Sequence, residues 1–187
     1  MCFYSVYKVY FMKVINRYLN ALNLRCSIMN KFKSVMFITL FYIMYLLKIQ
    51  EIGLLKGKIT LKNKNNKSIH IIGLNSQNRI YTFIEIFIDD CYNLKNITGE
   101  IYVDLGANIG LFFLGLEYFG ATPSYYIGIE PMKENLRILD ENLSYLKNKD
   151  KIKILPYAVS KKVEKKNYSI LIMVVPEMSH LYQVIIK

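Results

Sequence analysis

Residues 101–120, IYVDLGANIGLFFLGLEYFG, constrain the fold more than any other stretch of this chain. The run EIYVDL is rich in β-branched and aromatic residues and predicts a strand that ends at Gly106. The apolar run LFFLGLEYFG predicts a helix pressed against a sheet, with Gly120 at its end. A strand, a glycine turn and a helix in direct succession indicate an α/β fold with parallel strands.

The same rhythm continues to about residue 160. SYYIGIE predicts a second strand, closed by Pro131, and KIKILPYAVS predicts a third. Between them, PMKENLRILDENLSYLKNK predicts an amphipathic helix that begins at Pro131. Its apolar stripe is Met132, Leu136, Leu139, Leu143 and Leu146. We therefore predict a doubly wound, mostly parallel, Rossmann-like sheet that is incomplete, with its ligand at the carboxyl ends of the strands.

The chain before residue 100 has a different character. Residues 1–50 read as helical and apolar, and KITLK and SIHIIGL flank the polar turn NKNNK as in a hairpin. TFIEIFIDDCYNL fits helical and strand spacing, and we predict a helix. We place a boundary near residue 55, with an N-terminal helical appendage over 1–55 and an α/β domain over 56–187.

Charge and cysteine content limit the class of protein. The formal net charge is +11, and residues 1–100 hold 14 Lys and Arg against 5 Asp and Glu. The lysines are spread instead of clustering with stacking aromatics, so we predict no nucleic-acid partner. Cys2, Cys26 and Cys91 form no C-x-x-C pair, which predicts neither a disulfide framework nor a metal site and fits a cytoplasmic location.

Residues 35–47, VMFITLFYIMYLL, are the best membrane candidate. As a helix, 13 residues rise only about 20 Å, short of the roughly 30 Å of hydrocarbon in a bilayer. Lys31, Lys33 and Lys48 flank the segment, so we expect an interfacial or buried helix. The N-terminus has no signal-peptide pattern. Peripheral membrane association is open but not favoured.

The turn from Asp104 to Gly110, DLGANIG, fits no phosphate-binding pattern. No Lys-Ser or Lys-Thr follows Gly110, and a dinucleotide fingerprint from Gly106 would need glycines at Asn108 and Leu111, which excludes a nicotinamide oxidoreductase. A carboxylate a few ångströms from a pyrophosphate costs about 1–4 kcal/mol. S-adenosylmethionine carries no phosphate but carries an ammonium and a sulfonium, so Asp104 beside the turn favours this cofactor.

Glu130 completes the pattern 26 positions after Asp104, at the end of the second strand. An acidic side chain there can accept hydrogen bonds from ribose hydroxyls. Pro131 and Met132 would then lie along the adenine. Asp104 and Glu130 at successive strand ends, with Gly106 and Gly110 between them, predict a cofactor site.

These segments, VDLGANIG, GIEP, ENL…LDENL and KILPYAVS, resemble the FkbM-like family of S-adenosylmethionine-dependent methyltransferases over about residues 80–160. The resemblance implies a class I methyltransferase fold that methylates oxygen on small molecules or sugars. It implies that Asp104, Gly106, Asn108 and Gly110 line the methionine end of the cofactor and that Glu130 binds the ribose.

The acceptor side of the site is not identified by the sequence. The family pattern has further strands and an acidic motif near the acceptor, and the chain looks truncated before them, so we expect a cofactor half-site whose turnover is in question. No catalytic base is assigned, because a single histidine such as His70 or His180 is more often structural or solvated. The alternative hypothesis is a non-catalytic, membrane-associated protein that acts through its basic, aromatic N-terminal half.

Overall fold

The computed structural model describes residues 2–49, 58–97, 101–121, 123–146, 149–160 and 170–172. These residues form two compact units. The first takes its residues from Met1–Ile97 and Leu114–Ala121, and the second from Thr98–Phe113 and Thr122–Lys187. The predicted boundary near residue 55 lies among residues 50–57, outside the described part of the chain.

Two long helices open the first unit, α1 (Cys2–Leu22) and α2 (Ile28–Leu47). Ser27 caps α2, because its hydroxyl accepts a hydrogen bond from the amide of Asn30 at 3.3 Å. Lys48 ends α2 in a left-handed conformation with φ of 56°. The helices predicted for the first 50 residues are confirmed in their described part, where no helix is long and apolar enough to cross a membrane.

The predicted hairpin is also confirmed. It consists of β1 (Ile59–Lys62) and β2 (Ser68–Ile71), which pair antiparallel with Thr60 opposite His70. Its apolar residues lie on one face, since Ile59, Leu61, Ile69 and Ile71 are all buried.

A third helix, α3 (Gln77–Phe83), continues directly into a π-helical turn, Ile84–Ile88. The helix predicted for TFIEIFIDDCYNL is therefore confirmed as far as Ile88 and wrong beyond it. Asp90 causes the change of direction, because it has φ of 47° and its Oδ1 accepts a hydrogen bond from the amide of Leu94 at 2.6 Å.

A buried ion pair lies within the first unit. Arg17 on α1 is only 6% exposed and donates from Nε and Nη2 to Oδ2 of Asp89, at 2.9 and 2.8 Å. Its Nη1 donates to the hydroxyl of Tyr42 on α2 at 3.0 Å. The guanidinium is therefore buried with its charge compensated.

The second unit contains the predicted parallel sheet. Its strands are β3 (Ile101–Leu105), β4 (Tyr125–Ile129) and β5 (Ile152–Leu155), in the order β3-β4-β5 and all parallel. Helix α4 (Leu111–Phe119) follows β3, although its residues from Leu114 onward belong to the first unit, and α5 (Lys133–Leu143) follows β4. The mixed α/β class is confirmed, while a second winding direction is not seen in the described residues.

Helix α5 is shorter than predicted. Met132 is its N-cap, so Pro131 precedes the helix instead of opening it, and the helix ends at Leu143. Leu139 and Leu143 of the predicted stripe are buried, but Met132 is 60% exposed. The prediction that Met132 belongs to the apolar stripe was wrong. This residue has extended backbone geometry and therefore does not share the periodicity of the helix.

The predicted third strand is two strands. KIKILPYAVS gives β5 and then β6 (Ala158–Ser160), and β6 pairs in parallel with β7 (Ile170–Ile172) in a separate two-stranded sheet. Pro156 separates them, because it has no amide to donate to a strand partner. The amide of Tyr157 instead donates to the carbonyl of Leu155 at 2.9 Å and closes a tight turn.

Candidate functional site

The turn between β3 and α4 is built from left-handed backbone geometry. Gly106, Asn108 and Gly110 have φ of 87°, 48° and 82°, values that suit glycine and that asparagine tolerates. The amides of Gly106 and Ala107 both donate to the carbonyl of Ile129 at 2.9 Å. These two hydrogen bonds hold the turn against the end of the neighbouring strand.

Asp104 and Glu130 lie on the same face of the sheet. Asp104 pairs in register with Gly128 of β4. Because side chains alternate along a strand, Tyr126, position 128 and Glu130 share one face. The pairing continues through Glu130, whose amide donates to the carbonyl of Leu155 at 3.1 Å. The structure therefore brings together the two carboxylates predicted to form one site.

Asp104 is half-buried beneath this turn. Burial raises the pKa of its carboxyl, the hydrogen bond from the hydroxyl of Tyr126 lowers it, and the charge of Glu130 raises it again, with a net shift above the ordinary value. In the described part of the chain, no basic side chain is among these influences. The electrostatic environment of Asp104 therefore favours a cation beside it.

Tyr126 is the partner of Asp104 that sequence reasoning missed. Its hydroxyl donates to Oδ2 of Asp104 at 2.7 Å, and its ring is 1% exposed and packs edge-on to Phe113 with centroids 4.5 Å apart. Burial and the neighbouring charge of Asp104 raise the pKa of Tyr126 well above its ordinary value, so the phenol stays a donor. The available signal was alternation, since Tyr126 lies four positions before Glu130.

Glu130 is 4% exposed and accepts three hydrogen bonds. Oε2 accepts from the amide of Asn108 at 2.9 Å. Oε1 accepts from the amide of Met132 at 2.9 Å and from Nδ2 of Asn135 at 3.1 Å. The carboxylate therefore ties the turn after β3 to the beginning of α5, a structural role in addition to the ribose contact predicted from the sequence.

The remaining predicted residues divide into open and packed positions. A Cβ placed on Gly106 would meet no atom within 4 Å, whereas one on Gly110 would lie 3.4 Å from Cγ of Leu139. Gly106 thus leaves room for a ligand, and Gly110 serves the packing of α5. Pro131 and Met132 are exposed beside the strand end.

Asn108 supplies a further sign of a ligand. Its side-chain Oδ1 is buried and has no hydrogen-bond partner among the described residues. A buried acceptor without a donor is costly, by about 1–3 kcal/mol. The cationic, donor-rich methionine end of S-adenosylmethionine fits this acceptor and the nearby Asp104, so the residues present fit the cofactor predicted from the sequence.

Other features lie away from this site in the chain. His70 is in the hairpin of the first unit, where its Nδ1 is 3.0 Å from the hydroxyl oxygen of Thr60, and His180 lies outside the described residues. Two cavities of about 340 and 660 Å³ are lined entirely by residues of the first unit. The strand-end geometry, and not cavity size, identifies the candidate site.

Comparison with known proteins leaves the function open. No family model matches the chain, and no curated protein matches it. A solved structure of a proposed RNA methyltransferase from Pyrococcus horikoshii is 24% identical, over 43% of this chain and 44% of that one, with a TM-score of 0.32. A proposed transferase from the same organism is 15% identical, over 68% and 54%, with a TM-score of 0.36. The chain thus spans about half the length of each, and similarity of this extent assigns no function.

Proposed function

We propose that the second unit binds S-adenosylmethionine and that the chain is a methyltransferase of the FkbM-like kind. The charged methionine end of the cofactor faces Asp104, the Gly106 side of the turn and Asn108. The ribose faces Glu130. The exposed surface of Pro131 and Met132 lies along the adenine. Gly110 contributes by holding α5 against the turn.

One observation carries this proposal: two carboxylates lie on one face at the carboxyl ends of adjacent parallel strands, and the charge of one raises the pKa of the other. The charge of Glu130 is thus unfavourable for the ionised form of Asp104. A bound cation offsets that repulsion, and a phosphate adds to it. S-adenosylmethionine supplies the cation and brings no phosphate.

The hydrogen bonds of Glu130 refine the proposed binding mode. Two carboxylate oxygens offer about four acceptor positions, and three are occupied by Asn108, Met132 and Asn135. One acceptor position, on Oε2, therefore remains for a ribose hydroxyl. The bidentate contact expected from the sequence would require Asn135 to release Oε1.

When bound, the cofactor supplies an electrophilic methyl group. In our proposal, this methyl group would go to a hydroxyl oxygen of a small molecule or a sugar. The residues described here bind and orient the cofactor, which is the positioning part of catalysis.

Equilibrium dialysis with labelled S-adenosylmethionine tests the proposal. We expect saturable binding by the full chain, a loss of at least about tenfold in affinity for Asp104→Asn from the lost charge interaction, and unchanged affinity for Asp140→Asn, an exposed position on α5. A folded sample that does not bind, or equal affinities for the two variants, would reject it. Methyl transfer to a panel of hydroxyl acceptors then tests turnover.

A further inference from the structure

Helix α2 carries an exposed apolar surface along its whole length. At about 100° of rotation per residue, eight positions fall within an arc of about 100°. Seven of them are apolar and 38–86% exposed, and we call them, with Thr39, the α2 stripe: Ile28, Met29, Phe32, Met36, Ile43, Leu46 and Leu47. An apolar face of this kind on an otherwise packed helix requires an explanation.

The opposite face of α2 already has a partner. Phe37, Ile38 and Met44 are at most 1% exposed within the first unit, and the ring of Phe37 packs edge-on to that of Phe83 with centroids 6.2 Å apart. One apolar face of α2 is thus packed within the first unit, and a second apolar face is exposed on its surface. Twenty residues extend this presented face over about 30 Å.

The one polar member of the α2 stripe does not interrupt it. The hydroxyl of Thr39 donates to the carbonyl of Val35 at 3.1 Å, one turn earlier in the same helix, and lies 3.1 Å from the hydroxyl of Tyr18 on α1. A hydroxyl that has hydrogen-bond partners within the protein can enter an apolar environment at little cost.

The charges around the stripe indicate what covers it. Lys31 and Lys33 lie on either side of the arc, each roughly 100° from its centre, and Lys48 follows the last turn. Nζ of Lys33 donates to the carbonyl of Lys58 at 3.4 Å, which leaves two of its three N–H groups for a lipid phosphate. The helix contains no Asp or Glu, and residues 1–100 carry a net charge of +9. Apolar side chains bordered by lysines are the pattern of a helix that lies in the interface of an anionic bilayer.

We propose that the α2 stripe docks the protein on the surface of an anionic lipid bilayer, with α2 parallel to the membrane plane. The apolar side chains enter the boundary between headgroups and acyl chains, and the lysines contact lipid phosphates. A second copy of the chain is the other candidate occupant. It is disfavoured because Lys33 would border the shared seam and α2 has no acidic side chain to pair with it. The inference does not depend on cofactor binding.

The absence of tryptophan from the sequence makes a local test possible. Phe32→Trp places a single indole in the stripe, and Tyr45→Trp places one on the same helix outside the arc, at a position that is 61% exposed. Each variant is titrated with vesicles of phosphatidylcholine alone and with vesicles that also contain the anionic lipid phosphatidylserine. Emission maximum and iodide quenching are recorded, and thermal melts establish that both variants fold.

We expect the emission of the Phe32→Trp protein to shift to the blue and its iodide quenching to fall on anionic vesicles, with a much smaller effect on neutral vesicles and for Tyr45→Trp. Replacing Phe32 and Ile43 together by Ser should lower vesicle binding by at least about tenfold, from the apolar area lost. Absence of binding by the folded protein, or equal quenching at both positions, overturns the proposal. A blue shift that grows with protein concentration without vesicles, together with a dimer in analytical ultracentrifugation, assigns the stripe to a second copy and also overturns it.

Discussion

The pKa of the Asp104 carboxyl is raised by some neighbouring groups and lowered by another. Burial and the charge of Glu130 raise the pKa of its carboxyl, and the hydrogen bond from Tyr126 lowers it without cancelling the rise. A carboxylate in this position makes the folded protein less stable when it is ionised. Such a residue is expected where a ligand compensates the charge, which is why we place the methionine end of the cofactor there.

The first prediction concerns Asp104→Asn. Since the folded-state pKa of Asp104 lies above the ordinary 3.8, its contribution to stability is full below pH 3.8 and is lost as pH rises through the raised pKa. The neutral amide avoids that loss, so the variant should be more stable than the parent at pH 7 and should lose this advantage in acid. Urea unfolding at several pH values measures the difference. An Asp104→Asn protein that is less stable than the parent at pH 7 would contradict a raised pKa of Asp104.

The second prediction concerns Tyr126→Phe. This change removes the hydroxyl that donates to Asp104 at 2.7 Å, so the pKa of Asp104 should rise further. Binding of S-adenosylmethionine requires the ionised carboxylate, and the pH at which affinity is half lost should therefore move upward. A carboxyl NMR titration gives the pKa, and dialysis across the same pH range gives the affinity. Tyr125→Phe, at a partly exposed ring in the same strand, should leave both unchanged.

The third prediction concerns Glu130→Gln. The carboxylate accepts three hydrogen bonds, two at Oε1 and one at Oε2, and an amide side chain keeps only one accepting oxygen. The free energy of unfolding should fall by about 1–3 kcal/mol, because at least one donor, part-buried beside the Glu130 side chain, loses its acceptor. Chemical denaturation measures it. Glu141→Gln, on the exposed side of α5, is the matched control. Equal losses of stability in the two variants would show that the hydrogen bonds of Glu130 do not stabilise the link between the turn and α5.

At the level of elements, the sheet and the turn are closely packed around β4. A Cβ on Gly128 would lie 2.9 Å from Cδ1 of Ile154, 3.1 Å from Cβ of Ala107 and 3.1 Å from Cε1 of Tyr126. Gly128 thus lets the turn approach the strand next to Asp104. Its position opposite Asp104 in the register makes it part of the geometry of the site.

The fourth prediction follows from this packing. Gly128→Ala should lower the free energy of unfolding by about 1–3 kcal/mol, the usual cost of overpacking, and should weaken cofactor binding by displacing Ala107 and the turn. Ser124→Ala, at an exposed position before β4, should do neither. Denaturation and dialysis on both variants give the comparison. Full stability of the Gly128→Ala protein would show that the turn can move away at no cost.

The elements differ in how far the sequence predicts them. β3, the Gly106 turn and α4 follow from local rules, because a β-rich run, positive-φ glycines and an apolar helical run each act within a few residues. The division of KIKILPYAVS at Pro156 was missed, since Ile152–Leu155 and Ala158–Ser160 have similar composition and only their partners differ. The hydrogen bond from Tyr126 to Asp104 was missed for a related reason: it depends on the register of two strands.

The division of the molecule into two units depends on contacts between residues that are distant in the chain. Local sequence patterns do not predict such contacts. Leu114–Ala121 belongs with Met1–Ile97 in the first unit, although the sequence places it in the middle of the predicted α/β domain. Within that unit Gly115 allows a close approach, because a Cβ there would be 2.8 Å from Cδ1 of Leu94. Such contacts join positions distant in the chain, and periodicity gives no information about them.

The fifth prediction tests the buried ion pair of the first unit. The side chains of Arg17 and Asp89 are 7% and 11% exposed. Asp89→Asn leaves the guanidinium buried without its counter-charge and should lower the free energy of unfolding by about 3–5 kcal/mol. Lys95→Gln removes a long ion pair with Asp90, at 3.8 Å, in which the lysine side chain is 63% exposed, and should cost less than about 1 kcal/mol. Similar losses of stability in both variants would show that the buried ion pair of Arg17 and Asp89 matters no more than the pair of Lys95 and Asp90.

In our proposal, the two carboxylates at the ends of β3 and β4 select a cationic nucleoside without phosphate. Isothermal titration calorimetry of the full chain at pH 7, with S-adenosylmethionine and NAD in separate experiments, measures this selectivity. We predict saturable binding of S-adenosylmethionine and no heat of binding for NAD. Binding of NAD, or no binding of S-adenosylmethionine by a sample shown to be folded, would contradict the claim.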